Sequence, residues 1–162
     1  MRKFVLCLGL AFALLAGCAT GGGTEKQSPR DAEFDAFQAV IDKSFNNLEP
    51  RLTAGKRIAL LPINGADKDN GSYAYDTLTV MFVNALKYEM VERARIDQII
   101  QEQNFQMTGM VSDETAVSIG KFLGAQVIVI GDISGTGSTR RLVFRALDVE
   151  TGKILGISQE RF

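Results

Sequence analysis

Two short apolar runs constrain the fold more than any other feature of this sequence. Ile58–Leu61 and Val127–Ile130 contain no polar residue, and runs of this length are typical of strands that are buried on both faces of a sheet. Between the two runs, apolar residues recur at intervals of three and four, which indicates helices. The sequence therefore predicts an α/β domain built on two central strands.

Three helices are predicted between these strands, and polar residues mark two of their starts. Ser72 is expected to cap the first helix after a polar loop at residues 64–71, and Ser112 is expected to cap the third, which Gly124 ends. Gly120 is expected to allow close packing. A short strand is predicted at residues 88–91. The predicted buried positions are Leu78, Met81, Phe82, Ala85 and Leu86, then Ile96, Ile99 and Ile100, then Ala116, Ile119 and Leu123.

The C-terminal part of the sequence alternates between polar and apolar residues, which favours hairpins. A turn at residues 135–138 leads into the alternating stretch Arg140–Val149, and the turn at Thr151-Gly152 leads back through Ile154, Leu155 and Ile157. The predicted fold is therefore α/β, with a mixed sheet of about five strands, flanking helices and antiparallel hairpins at its end.

Residues 29–50 are predicted to form an amphipathic helix that precedes this α/β domain of residues 56–162. Ser28 and Pro29 suit a helix start, and Pro50 suits its end. The apolar positions form one stripe, which is expected to pack on the protein's own domain rather than on a partner. These positions are Phe34, Phe37, Ile41, Phe45 and Leu48.

The N-terminus reads as an export signal. Arg2 and Lys3 precede an apolar run over residues 4–15, which is shorter than the roughly 20 residues that span a bilayer. Residues 15–18 read Leu-Ala-Gly-Cys and are similar to the lipobox of bacterial lipoproteins. That similarity implies removal of residues 1–17 and lipidation of Cys18, with an ordinary secretory signal as the alternative. Residues 18–28 are small and glycine-rich, as in a flexible tether.

The composition excludes several classes of chemistry. The chain has 162 residues and no histidine, so the commonest general base and metal ligand are absent. Its two cysteines are Cys7, in the predicted signal, and Cys18, which leaves the folded domain without a thiol. Without residues 1–17 the net charge is about −3, which does not indicate nucleic-acid binding.

Several candidate sites can be weighed from their spacing. Asp67, Asp69 and Asn70 are residue types that bind calcium in loops. An EF-hand loop that began at Asp67 would need Gly at its sixth position and Glu at its twelfth, but these positions are Ser72 and Leu78. A turn is therefore expected. The fragment at residues 135–137 resembles the start of a dinucleotide loop but precedes a strand pattern rather than a helix. No catalytic, cofactor-binding or metal-binding residue is therefore predicted.

Two groups of charged residues have both a functional and a structural interpretation. Arg140, Arg141 and Arg145 form either a basic patch for a partner or charges that protect a sheet edge from pairing. The residues Glu92, Arg93 and Glu102 are interpreted as a local ion pair and helix-start contact rather than as a binding site.

From Lys56 to the C-terminus an ordered set of residues forms a recognisable pattern: Ile58-Ala59-Leu60-Leu61-Pro62, Val91-Glu92-Arg93, Ile96, Ile99, Glu102-Gln103, Gly109, Ala116, Gly120, Leu123-Gly124-Ala125, Val129, Gly131, Asp148-Val149 and Thr151-Gly152. This pattern resembles the CsgG-like superfamily, which includes LpoB-type activators of penicillin-binding proteins and relatives of the N-terminal domain of TolB. The resemblance implies a compact, non-enzymatic α/β domain of an envelope lipoprotein that binds proteins. Because an aspartate does not follow Cys18, sorting as in enterobacterial lipoproteins implies the outer membrane, with the domain facing the periplasm.

Three functions follow as hypotheses. The first is a module that binds an envelope protein, with a penicillin-binding protein as the leading candidate, although the tether is shorter than the arm of enterobacterial activators. The second is a secretion or assembly component, including a self-associating ring, although the sequence lacks spare alternating segments for membrane hairpins. The third is a hydrolase using two carboxylates such as Asp67 and Asp76, which are close only in sequence.

Overall fold

The computed structural model describes residues 29–65, 68–107 and 111–162. The predicted signal, the tether and Cys18 lie outside these residues, as do Asp67 and Gly109. The helices are α1 (Pro29–Leu48), α2 (Lys68–Asn84), α3 (Arg93–Glu102) and α4 (Asp113–Leu123), with 3-10 turns at Glu49–Arg51 and Gly137–Thr139. The strands are β1 (Arg57–Leu60), β2 (Asn64–Gly65), β3 (Glu89–Met90), β4 (Val127–Ser134), β5 (Arg141–Asp148) and β6 (Ile154–Arg161).

The described strands form one six-stranded mixed sheet in the order β3-β1-β4-β5-β6, with β2 paired to β4 beyond the end of β1. Strand β1 runs parallel to both β3 and β4. Strands β4, β5 and β6 are joined by antiparallel pairing. The predicted mixed α/β sheet with terminal hairpins is thus confirmed. The strand beyond the predicted five is β2, which is only two residues long.

Two hydrophobic layers cover the two faces of the sheet. Helices α1 and α2 pack on the face that carries Ile58 and Leu60. Helices α3 and α4 pack on the opposite face, which carries Ala59 and Leu61. All four of these side chains are at most 1% exposed. The interpretation of the first apolar run as a strand buried on both faces is therefore confirmed.

Helix α1 is an integral part of the first layer. Ile41 and Leu48 are 0% exposed, and the ring of Phe37 lies 4.5 Å from that of Phe162. The ring of Phe45 meets that of Phe82 edge-on at 5.1 Å. The prediction that the apolar stripe of this helix packs on its own domain is confirmed.

Helix α2 departs from the sequence prediction at both ends. It begins at Lys68 rather than after Ser72, so the polar loop predicted at residues 64–71 is mostly short strand and helix. A Cβ on Gly71 would lie 2.7 Å from the carbonyl oxygen of Ile63, so a residue without a side chain lets the helix start against the end of β1. At the other end, Leu86 is 89% exposed with φ +53°, because the helix has already ended at Asn84.

The other predicted helix boundaries are confirmed. The Ser112 hydroxyl oxygen accepts a hydrogen bond from the backbone N–H of Thr115 at 3.2 Å, and Gly124 ends α4 with φ +64°. A Cβ on Gly120 would lie 2.7 Å from Val149 Cγ2. The small residue predicted to allow close packing therefore brings α4 directly onto the sheet.

Two glycines at the hairpins should respond differently to alanine. Gly135 has φ +84°, and its Cβ would lie 2.3 Å from the carbonyl oxygen of Thr139, whereas Gly152 has φ +70° with nothing near its Cβ. Gly152→Ala should therefore lower the free energy of unfolding by about 1 kcal/mol, from backbone strain alone. Gly135→Ala should cost a further 1–3 kcal/mol or so from the clash. Urea unfolding of the two variants measures the difference, and equal losses would contradict the described geometry.

The β5–β6 turn should make stability depend on pH. Asp148 Oδ1 accepts hydrogen bonds from the Thr151 N–H at 2.8 Å and its hydroxyl at 2.7 Å, and these bonds lower the pKa of Asp148. Because the pKa of Asp148 is lower in the folded than in the unfolded state, its carboxylate stabilises the fold at pH values above the unfolded pKa, about 3.9. This stabilisation is lost as the pH falls through the folded pKa. Asp148→Asn should lower Tm at pH 7, and the deficit should shrink below about pH 4. A deficit that does not change with pH would contradict this assignment.

Candidate functional site

The first candidate site is a cleft at the carboxyl ends of the parallel strands. The chain leaves β1 toward α2 and leaves β3 toward α3, and these helices lie on opposite faces of the sheet. Open α/β sheets bind ligands at such a point. The cleft has a volume of about 740 Å³ and is lined by Asn64, Lys68, Tyr75, Arg93, Met107 and Asp132, among others.

Three charged residues line this cleft, Lys68, Arg93 and Asp132, and Arg93 makes ion pairs with carboxylates outside the lining. The Arg93 guanidinium lies 4.5 Å from the centre of the Tyr75 ring and forms ion pairs with Asp76 at 3.3 Å and Asp97 at 3.9 Å. Burial raises the pKa of the Tyr75 hydroxyl above its ordinary value. The interpretation of Glu92, Arg93 and Glu102 as a local ion pair is wrong, because Arg93 pairs with Asp76 and Asp97. Glu102 instead accepts a hydrogen bond from Gln98 at 2.6 Å.

The carboxylate pair of the hydrolase hypothesis cannot be placed, because Asp67 lies outside the described residues. Its proposed partner Asp76 is the ion-pair partner of Arg93. Asp69 and Asn70, which the sequence placed in a turn, lie in the first turn of α2. In the described part of the chain, no three Asp, Glu, His or Cys side chains are grouped as a metal site would require.

The second candidate site is a part of the sheet that α3 and α4 leave uncovered. The register places Ser134 beside Arg141 and Arg141 beside Arg161, so the three side chains form one row on this face. The next rows are Asp132 with Val143 and Gln159, and Ile130 with Arg145 and Ile157. We call the exposed part of these rows the arginine face: Asp132, Ser134, Arg141, Val143, Arg145, Ile157, Gln159 and Arg161.

A recess of about 230 Å³ lies within the arginine face, and Val111, before α4, forms one of its walls. Arg145 donates a hydrogen bond to the carbonyl oxygen of Val111 at 3.2 Å and lies 3.4 Å from Asp113 Oδ1. Arg141 Nε donates to Ser134 Oγ at 3.0 Å. Arg145 is thus fixed at one side of the recess, and Arg141 is tethered at the other.

The arginines that the sequence grouped together are divided between the two faces of the sheet. Arg140 turns to the α1 side, where its guanidinium lies 4.6 Å from the Phe162 ring centre and pairs with Glu33. Arg141 and Arg145 share the other side, together with Arg161, which the sequence analysis missed. Because β5 is paired on both sides, the interpretation of these three residues as protectors of a sheet edge is wrong.

The match to a family model gives the chain its family. Residues 61–141 match the model described as "Curli production assembly/transport component CsgG", and these residues make up half of the chain. The chain belongs to the CsgG family. The matched region of this CsgG-family protein runs from the end of β1 to the start of β5, so it includes the cleft and part of the arginine face.

Solved structures support the same fold. The CsgG-family protein described here is similar to the LpoB C-terminal domain of Salmonella enterica, with a TM-score of 0.60 at 20% identity over 79% of this chain and 96% of that one. It is also similar to E. coli LpoB, with a TM-score of 0.61 at 17% identity over 99% of this chain and 82% of that one. For lipoprotein GNA1162 of Neisseria meningitidis, the TM-score is 0.50 at 15% identity over 66% of this chain and 79% of that one. Comparison with curated protein sequences gives no match.

These likenesses confirm the CsgG-like, LpoB-type fold that the sequence resemblance implied. At identities of 20% and below they concern the fold alone. A separate observation bears on the membrane: none of the described helices combines the length and apolar character needed to cross a bilayer.

Proposed function

We propose that this CsgG-family protein is an envelope lipoprotein, anchored by lipid on Cys18 in the outer membrane, whose periplasmic domain acts by binding another envelope protein. The lipobox-like residues 15–18 support the anchor. The observation that carries the proposal is the fold match to LpoB, which extends over 96% of its C-terminal domain. GNA1162, which shares the fold, is named as a lipoprotein.

A binding role rather than an enzymatic one also suits the chemistry of the described residues. Arg93, which lines the cleft, is held in ion pairs with Asp76 and Asp97, and catalysis by a nucleophile or general base needs a partner group poised beside it. The chain has no histidine to supply one.

The more specific proposal is that the partner is a penicillin-binding protein and that binding activates it, as the resemblance to LpoB-type activators implies. The test is the rate at which a purified bifunctional penicillin-binding protein from the same organism polymerises its lipid-linked precursor. The full-length lipoprotein in detergent should raise this rate severalfold and saturably. An unchanged rate at saturating protein would contradict activation without contradicting binding of another envelope protein.

A second candidate function is an assembly component that associates with its own copies, for example in a ring. The family description favours an assembly or transport role. The structural observation behind it is β6, which pairs only with β5 among the described strands. Two of its side chains, Ile154 and Ile157, are about half exposed, and edge strands of this kind can pair with another chain. Sedimentation of the full-length protein in detergent distinguishes the candidates, because a ring requires a species of several subunits whereas a monomer at all concentrations contradicts it.

A further inference from the structure

We propose that the arginine face is the surface that docks the protein partner, and that the partner presents an acidic segment to it. This inference rests on the proposed function. It specifies which surface of the domain makes the contact and which chemical groups of the partner this surface recognises.

The strongest evidence is an unfavourable pairing of charges. Arg141 and Arg161 are directly opposite each other on neighbouring antiparallel strands, and like charges in this position destabilise a sheet. Sequences break such local rules mainly at functional sites. A carboxylate bound between the two guanidinium groups would remove the repulsion and gain two charge-assisted hydrogen bonds.

The domain's own described carboxylates do not pair with Arg141 or Arg161 and so do not remove the repulsion between them. Asp113 pairs with Arg145, and Asp132 lies in the next row, opposite Val143. Glu160 points to the other side of the sheet, where it binds Lys43 at 2.6 Å. Among the described residues, no carboxylate is within ion-pair distance of Arg141 or Arg161. Without residues 1–17 the net charge is about −3, so the arginine face is a local concentration of positive charge on an acidic molecule and would steer an acidic partner to it.

The composition of the face favours a protein over a lipid headgroup. Ile157 is 51% exposed and lies on the same face as Val143, Gln159 and the recess, so the arginines flank apolar and hydrogen-bonding side chains, with Asp132 as the carboxylate of the middle row. This is the anatomy of a protein interface, in which arginine is enriched. Cations that bind a membrane surface project from the protein toward the lipid headgroups, whereas a recess can accept a side chain of a partner protein.

The first test is the stability of the free protein. Arg161→Glu replaces repulsion by attraction to Arg141, so it should raise Tm by about 1 to 4 °C. The matched control is Arg95→Glu on the exposed side of α3, where the Arg95 guanidinium donates a hydrogen bond to Gln98 at 3.0 Å. An Arg161→Glu variant that is no more stable than the control would overturn the charge argument.

The second test is cross-linking in living cells with the full-length protein. A benzophenone amino acid at Gln159, in the middle row of the face, should form an adduct with an envelope protein, and the cross-linked peptide should be rich in Asp and Glu. The pair Arg141→Ser and Arg161→Ser should reduce this adduct at least about tenfold. The control pair Arg95→Ser and Lys153→Ser removes the same charge elsewhere and should leave it within about twofold.

These outcomes distinguish a failure of the docking-site inference from a failure of the proposed function on which it rests. If the wild-type lipoprotein co-purifies with an envelope protein and the Arg141/Arg161 pair of substitutions leaves that recovery unchanged, the arginine face is not the docking site. An adduct with lipid or with a second copy of the chain would overturn the inference as well. If the wild type itself recovers no envelope protein, the proposed function fails.

Discussion

A Cys18→Ser variant is expected to leave the membrane fraction almost completely. Each buried methylene of an acyl chain contributes about 0.8 kcal/mol, and two or more chains hold a protein stably. The amount of protein that sediments with membranes should therefore fall by more than about tenfold.

Cys7→Ser is the matched control, because Cys7 lies in the segment that we expect to be removed. It should leave both membrane association and incorporation of labelled palmitate unchanged. If Cys18→Ser sedimented with membranes as fully as the wild type, lipid attachment at this residue would be contradicted.

Phe82→Ala is expected to cause the largest loss of stability. The Phe82 side chain is 0% exposed, and its ring contacts Phe45 of α1 at 5.1 Å and Tyr88 at 5.7 Å. Truncation should cost about 3–5 kcal/mol, since it leaves a cavity where α1 and α2 meet. Many domains have a total stability of only about 5–15 kcal/mol, so the variant should be unfolded at far lower urea concentrations.

Phe122→Ala provides the same truncation on α4, where the side chain is 50% exposed. Its cost should stay below about 1 kcal/mol, as is usual for a partly exposed residue outside the core. Similar losses for both variants in urea unfolding would contradict the packing of α1 and α2 described above.

Local patterns were sufficient to predict most of the helices and the long strands. The apolar run Ile58–Leu61 and the cap at Ser112 depend on residues close in sequence, and the structure confirms both. The start of α2 depends instead on a contact between Gly71 and the backbone of Ile63. Such a contact exists only after the helix has docked, so the sequence pattern could not reveal it.

The arginine face could not be predicted because it depends on strand register. An irregularity in the pairing between Ala146 and Leu147 shifts the β5–β6 register, so counting back from the turn does not place Arg161 opposite Arg141. The clustering of Arg140 with Arg141 along the chain was misleading, because neighbouring residues of a strand point to opposite faces. The useful signal was the alternation itself, which separates Arg140 from Arg141 and Arg145.

The central claim is that this domain acts through contact with another protein of the cell envelope. Its most direct test is chemical cross-linking of intact envelopes that contain the full-length acylated protein, followed by quantitative mass spectrometry of what it retains. We expect one envelope protein to be enriched, and a tag on that protein to recover this chain in return. Recovery of the lipoprotein alone, with no envelope protein enriched in either direction, would contradict the claim.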